Sequence, residues 1–144
     1  MAFCKVPMAL GEEQTLAPEG EYTLVVRKTE LKQTKKGDPM VVLSIGFVGE
    51  TTYAPFSHFV TFPKAGDSPD FTAMKVREIR RLCHVFGVDY TEEGFNSDDF
   101  GGAEGTCSVT VEVEREKKDS DGNVIPFDRA PRENNRLVLP RVVD

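Results

Sequence analysis

Between residues 41 and 47 large apolar side chains take every second position: Val41, Leu43, Ile45 and Phe47 alternate with Val42, Ser44 and Gly46. A period of two marks a strand with one face in a core. The same period returns at 107–114, where Cys107, Val109, Val111 and Val113 alternate with Ser108, Thr110, Glu112 and Glu114. Three further stretches read as strands with less regular alternation: 21–31, rich in β-branched side chains, 56–62 (FSHFVTF) and 135–142 (NRLVLPRV). A glycine-containing turn at 34–38 joins the first strand to the second, at 39–48, as a long hairpin.

One segment has a different period. Phe71, Met74, Ile79, Leu82, Val85 and Phe86 share one broad helical face, with Lys75, Arg77, Arg80 and Arg81 mostly off it. Ser68 is placed to cap the free amides, Pro69 suits the first helical position, Asp70 complements the dipole, and Gly87 ends the run. The spacing predicts one amphipathic helix lying on a sheet, its basic side chains forming a solvated face.

The order is three strands, one helix, two strands. It predicts a mainly β protein, an OB-fold-like five-stranded barrel with its one amphipathic helix between strands three and four. Residues 1–20 carry Pro7, Gly11, Pro18 and Gly20 without a steady period and read as a flexible N-terminal arm; residues 21–144 form a single domain with an acidic connector at 88–106. In an OB-fold, ligands lie on strands two and three and on the loops joining strands one to two and four to five.

Charge changes the picture because it is unevenly spread. The net charge is -6, yet residues 21–66 carry six basic against four acidic side chains, while 88–106 carry six acidic and no basic one. A polyanion therefore has a place to bind away from the connector. Lys32, Lys35 and Lys36 crowd the tip of the first hairpin, in the loop between strands one and two. Arg27 and Lys28 precede them on the strand, and simple alternation sends the two to opposite faces, so only one joins the groove. Lys64 follows the third strand and can extend it. Lys117 and Lys118 fall in the loop between strands four and five, weakened by Glu116, Asp119 and Asp121 nearby.

The aromatic candidates depend on register. With Phe56, Val60 and Phe62 inward, Phe59 is a lone ring on a polar outer face beside Ser57 and Thr61 and can serve as a base platform; the opposite register makes it core. Tyr53, in the loop before that strand, is a second stacking candidate. His58 fits a barrel interior badly and belongs near a rim or bulge.

Catalytic readings find little support. His58 and His84 are the two histidines, and no HExxH, GxSxG or P-loop spacing is present. Cys4, Cys83 and Cys107 are odd in number and form no CxxC pair, which encourages neither a disulfide framework nor a zinc site. The expectation is a binding protein with no catalytic residue, metal or cofactor. No apolar run approaches the length of a membrane helix, and residues 1–20 lack the pattern of a secretory signal.

With these elements in place the chain resembles phage-encoded single-stranded DNA-binding proteins of the OB-fold type. The resemblance lies in PEGEYTLVV, TKKGDPMVVLSIGF, the helix ending RRLCHVFGV, FGGAEGTCSVTVEVE and NRLVLPRV, covering most of the chain from Pro18 to Val142. It implies sequence-tolerant binding and protection of single-stranded DNA in replication or recombination, in the cytoplasm of an infected bacterial host, with phage or host replication and recombination proteins as further partners. It implies a groove in which Lys28, Lys32, Lys35, Lys36, Lys64, Lys117 and Lys118 meet phosphates and Tyr53, His58 and Phe59 meet bases. Members often end in an acidic tail; here LPRVVD stands in that place, and the acidity falls in the connector. The competing reading is a non-catalytic protein-interaction module, a virion component or replisome adaptor, built on the same barrel.

Overall fold

The computed structural model describes residues 2–126 and 129–141, without the side chains of Leu10 and Lys117. Strand β1 (Gly20–Gln33) is the spine of the molecule. Its 14 residues are long enough to pair antiparallel with two partners, β2 (Pro39–Phe47) along one edge and β6 (Glu104–Val113) along the other. Strand β3 (Phe56–Thr61) pairs with β2, and β9 (Glu133–Val138) with β6, giving a five-stranded antiparallel sheet of order β3-β2-β1-β6-β9.

The alternation seen in the sequence decides which side is buried. Leu24, Val26, Val41, Leu43, Ile45, Phe47, Val60, Cys107, Val109 and Leu137 all face one core. The sheet curls around that core until Cα atoms of β3 and β9, its two edges, lie within 8 Å of each other. No backbone hydrogen bond joins the two edges among the described residues, so the sheet is curled but open along a seam.

Helix α1 (Pro69–Phe86) begins and ends where its capping residues predict. Ser68 Oγ accepts from the Phe71 amide at 3.1 Å, and Gly87, at φ 66°, donates its amide to the Cys83 carbonyl. The buried face is narrower than expected: Leu82, Cys83 and Phe86 are buried, while Phe71 and Met74 are exposed. The reason is local. Gly105 of β6 lets the C-terminal end of α1 press against the strand at Val85, so the burial concentrates at that end. Lys75, expected off the helix's apolar face, pairs instead with Asp67 at 3.0 Å and lies over the Phe71 ring.

Two other expectations are corrected. The arm is not loose throughout: Thr15 exchanges backbone hydrogen bonds with Thr52 and Ala54, and Ala17 is fully buried. Asn135 clamps Ala17, accepting from its amide at 3.0 Å and donating to its carbonyl at 2.9 Å. A polar residue sits inward on β9 because it satisfies a backbone that crosses the end of the core.

The acidic connector is also more ordered than a loop. It holds the short hairpin β4 (Tyr90–Thr91) and β5 (Gly94–Phe95) and a 3-10 turn, Ser97–Phe100, capped by Asn96, whose side chain accepts from the Asp98 amide. That turn drives Phe100 into the core with no exposed surface. A second short hairpin, β7 (Lys117–Lys118) and β8 (Val124–Ile125), closes on Asp119, whose carboxylate accepts from the amides of Asp121 and Asn123. The last strand ends at Val138, short of the expected span, and Val142 lies outside the described residues. Among the described residues no helix is long and apolar enough to cross a membrane.

Candidate nucleic-acid interface

The ladder of β1, β2 and β3 aligns residues in rows across the outer face. Lys28 stands opposite Ser44 and Ser44 opposite Ser57; Glu30, Val42 and Phe59 form the next row; Lys32, Met40 and Thr61 the third. Rows follow at about 7 Å along the strands, and neighbours within a row at about 5 Å. Phe59 is 58% exposed and Val60 beside it only 5%, so β3 takes the register that turns Phe59 outward. Its ring overlooks Val42, an apolar floor, with the Glu30 carboxylate at the far end of the same row.

A bulge between Val26 and Lys28 changes the expected placement of Arg27. With one extra residue on β1, strict alternation breaks. Lys28 pairs with Ser44, which lies outward between buried Leu43 and Ile45, while the Arg27 guanidinium crosses the outer side of Gly46. Arg27 and Lys28 therefore share the outer face, and the expectation that only one of them reaches it is corrected.

Ion pairs organise the rest. Glu30 binds Lys28 and also Lys32, the latter at 3.1 Å, and these two ammonium groups hold its carboxyl below the usual range. Lys64 pairs with Asp38 at 3.1 Å, tying the end of β3 to the hairpin turn. That turn is closed by the Thr34 amide donating to the Asp38 carbonyl and by Gly37 at φ 84°. Lys35 and Lys36 at its tip are exposed and make no ion pair among the described residues. With Arg27, also exposed and without an ion pair among the described residues, they are the cations of this face most available to an incoming anion.

Other candidates fall elsewhere. Tyr53 is no free loop ring: it packs edge-on against Tyr22 and Phe47, at 5.7 and 5.4 Å between centroids, and is only partly exposed. Part of its ring surface is therefore used within the protein, in a cluster with Tyr22 and Phe47. Lys118 is exposed on the β7–β8 hairpin, away from the rows of β1 to β3, and the Lys117 side chain lies outside the described residues.

His58 alternates with Phe59 and points the other way, into the seam between β3 and β9. Burial there and the nearby Arg136 charge push its pKa down to about 4, so it is neutral at pH 7 and brings no positive charge to a phosphate. Its ring nitrogens have no hydrogen-bond partner among the described residues and stay within reach of solvent. The seam widens beside it into a cleft of about 800 Å³ that Phe56, His58, Phe59, Asn134 and Arg136 help to line. Asn134 and Arg136 carry no signal in the sequence, since their role depends on β9 returning beside β3.

The chain matches no protein-family model and no curated protein.

Proposed function

We propose that this protein binds single-stranded DNA without sequence preference, on an OB-fold-like frame, and protects it during phage DNA replication or recombination. Binding rather than catalysis is its task. The observation that carries the reading is Phe59: a ring 58% exposed, on the edge strand of a face whose one end is the basic hairpin of Lys35 and Lys36. A ring with an apolar neighbour and cations within a few residues is what a stacked base with an adjoining phosphate requires. The strand order supports the frame, since a curled sheet of order 3-2-1-4-5 with a helix between its third and fourth long strands is that of an OB barrel opened along one seam. Arg27, Lys28 and Lys32 add to the phosphate track, and the acidic 88–106 segment repels misplaced strands.

The test is fluorescence anisotropy with a labelled oligothymidylate of about 30 nucleotides, at low and physiological salt, with duplex DNA as competitor. The three cations of the track without an ion pair among the described residues, Arg27, Lys35 and Lys36, give a slope of log affinity against log salt of roughly -2, Lys28 and Lys32 being held by Glu30. Replacing Lys35 and Lys36 together by Glu should abolish binding, and Phe59→Ala should weaken it by about 1 to 3 kcal/mol. Absence of binding at low salt would overturn the reading, and an unaffected double variant would remove the hairpin from it.

A further inference from the structure

We infer that the seam between β3 and β9 is a nucleobase pocket, in which Phe59 and His58 take the face and the edge of one base while its phosphate stays on the lysine side. This rests on the single-strand reading and names the chemistry of a second part of the same site.

The first argument is an open hydrogen-bonding capacity. His58 is partly buried, and its ring nitrogens, without a partner among the described residues, stay accessible from the cleft that His58 lines. A group entering the cleft can therefore hydrogen-bond to them in place of water. A neutral imidazole offers one donor and one acceptor, as does the edge of every nucleobase. Asn134, exposed on the opposite wall, adds an amide with both capacities.

The second argument is shape and charge. Phe56 and Phe59 supply flat apolar walls, and the cleft has ample room for a single base. Its other wall carries Glu112 and Glu114, each already neutralised: Glu112 by Arg136 at 2.8 Å and Glu114 by Arg129 at 3.0 Å. The cleft therefore has little net charge and offers no uncommitted cation to a phosphate, which suits an uncharged base. The basic tip and the cleft lie on opposite sides of Phe59. A strand crossing that ring has its backbone toward β1 and its base toward β9.

Two measurements on the full chain test this. Anisotropy compares an oligothymidylate with an abasic oligonucleotide of equal length, for the wild type, His58→Leu and the surface variant Asn134→Ala. Base-bearing DNA should bind the wild type at least about tenfold more tightly than abasic DNA. Each variant should lose about threefold or more of that preference with abasic affinity unchanged, and melting curves verify that both variants are folded. Separately, thymidine, which carries no phosphate, should shift the His58 ring resonances in a nitrogen–proton correlation spectrum. A preference unchanged in both variants, or ring resonances that thymidine leaves in place, overturns the pocket even if the oligonucleotide binds. Failure of both oligonucleotides to bind the wild type overturns the parent reading instead, and the thymidine titration then judges the pocket alone.

Discussion

Replacing Gly105 by Ala tests how the helix is held on the sheet. A Cβ at that position would lie 2.8 Å from the Val85 carbonyl carbon, closer still to its oxygen, and 3.1 Å from Val85 Cγ1. The first two atoms are backbone of α1 and cannot rotate away, so the helix end must move outward by the better part of an ångström. Leu82, Cys83 and Phe86 sit on that end and form its whole fully buried face, so the shift loosens the contact that keeps α1 in place. Overpacking of this kind costs about 1 to 3 kcal/mol, and a rigid obstacle belongs at the upper end. The lost glycine freedom of the unfolded chain returns less than about 1 kcal/mol, which leaves a net destabilisation of roughly 2 kcal/mol. For a chain of 144 residues, unfolding entropy sets about 3 °C per kcal/mol, so the melting temperature should fall by about 6 °C.

Gly46→Ala is the matched control. There the nearest atoms are the end of the Arg27 side chain, which can swing aside, and the expected loss is below about 1 kcal/mol. Thermal unfolding followed by circular dichroism compares the two. A further double variant, Gly105→Ala with Val85→Ala, should not recover the loss, because the obstruction is the backbone carbonyl and not the valine side chain. A Gly105→Ala protein that melts within about 1 °C of the wild type, or one rescued by trimming Val85, would refute the close packing of α1 on β6.

Three other predictions follow from single groups. Glu30→Gln frees Lys28 and Lys32 from their shared carboxylate, so single-strand affinity should rise several-fold at low salt and its salt slope should steepen by about 0.7 in titrations against oligothymidylate. Because the folded pKa of His58 is about 4 against an ordinary 6.5, the unfolded chain takes up the proton first as pH falls. His58 thus costs no stability above about pH 6.5, and a loss of order 3 kcal/mol builds up between there and about pH 4. Urea unfolding across that range should show His58→Leu with a shallower acid loss than the wild type. Asn135→Ala leaves the buried Ala17 amide and carbonyl unpaired, costing about 2 to 4 kcal/mol, and hydrogen exchange should quicken first at residues 14–17.

The helix was legible because its signals are local: Ser68, Pro69 and Gly87 act within one turn of the ends they set. The two cleanest strands were legible because alternation needs only neighbouring residues, and the outward position of Phe59 followed once Val60 was taken as core. What escaped depended on partners distant in sequence. Ala17 and Asn135 are separated by 118 positions, and nothing local in the arm marks residue 17 as buried, although an Asn at an inward position of the last strand was a visible anomaly. The order within the acidic connector escaped because its short hairpin owes its place to Phe95 and Phe100 packing on each other and toward α1. Phe71 and Met74 misled in the opposite sense: the pattern showed an apolar face but not how much of it the sheet can reach.

The bulge shows how a limit of local reading and a feature of the site have one cause. A strand that pairs with β2 along one part and β6 along another must bend where the two ladders overlap, and an extra residue is the ordinary means of bending a strand. The extra residue cannot pair in the ladder, so its side chain must find room on the surface. Here that residue is Arg27, and the room is Gly46, where even a methyl group would lie 2.6 Å from the guanidinium carbon. Curling the sheet to close its core and adding a cation to the face that carries Phe59 are therefore one structural event. It follows that Gly46→Ala, nearly silent in stability, should still displace Arg27 and weaken single-strand binding, a separation of effects that a purely structural glycine would not produce.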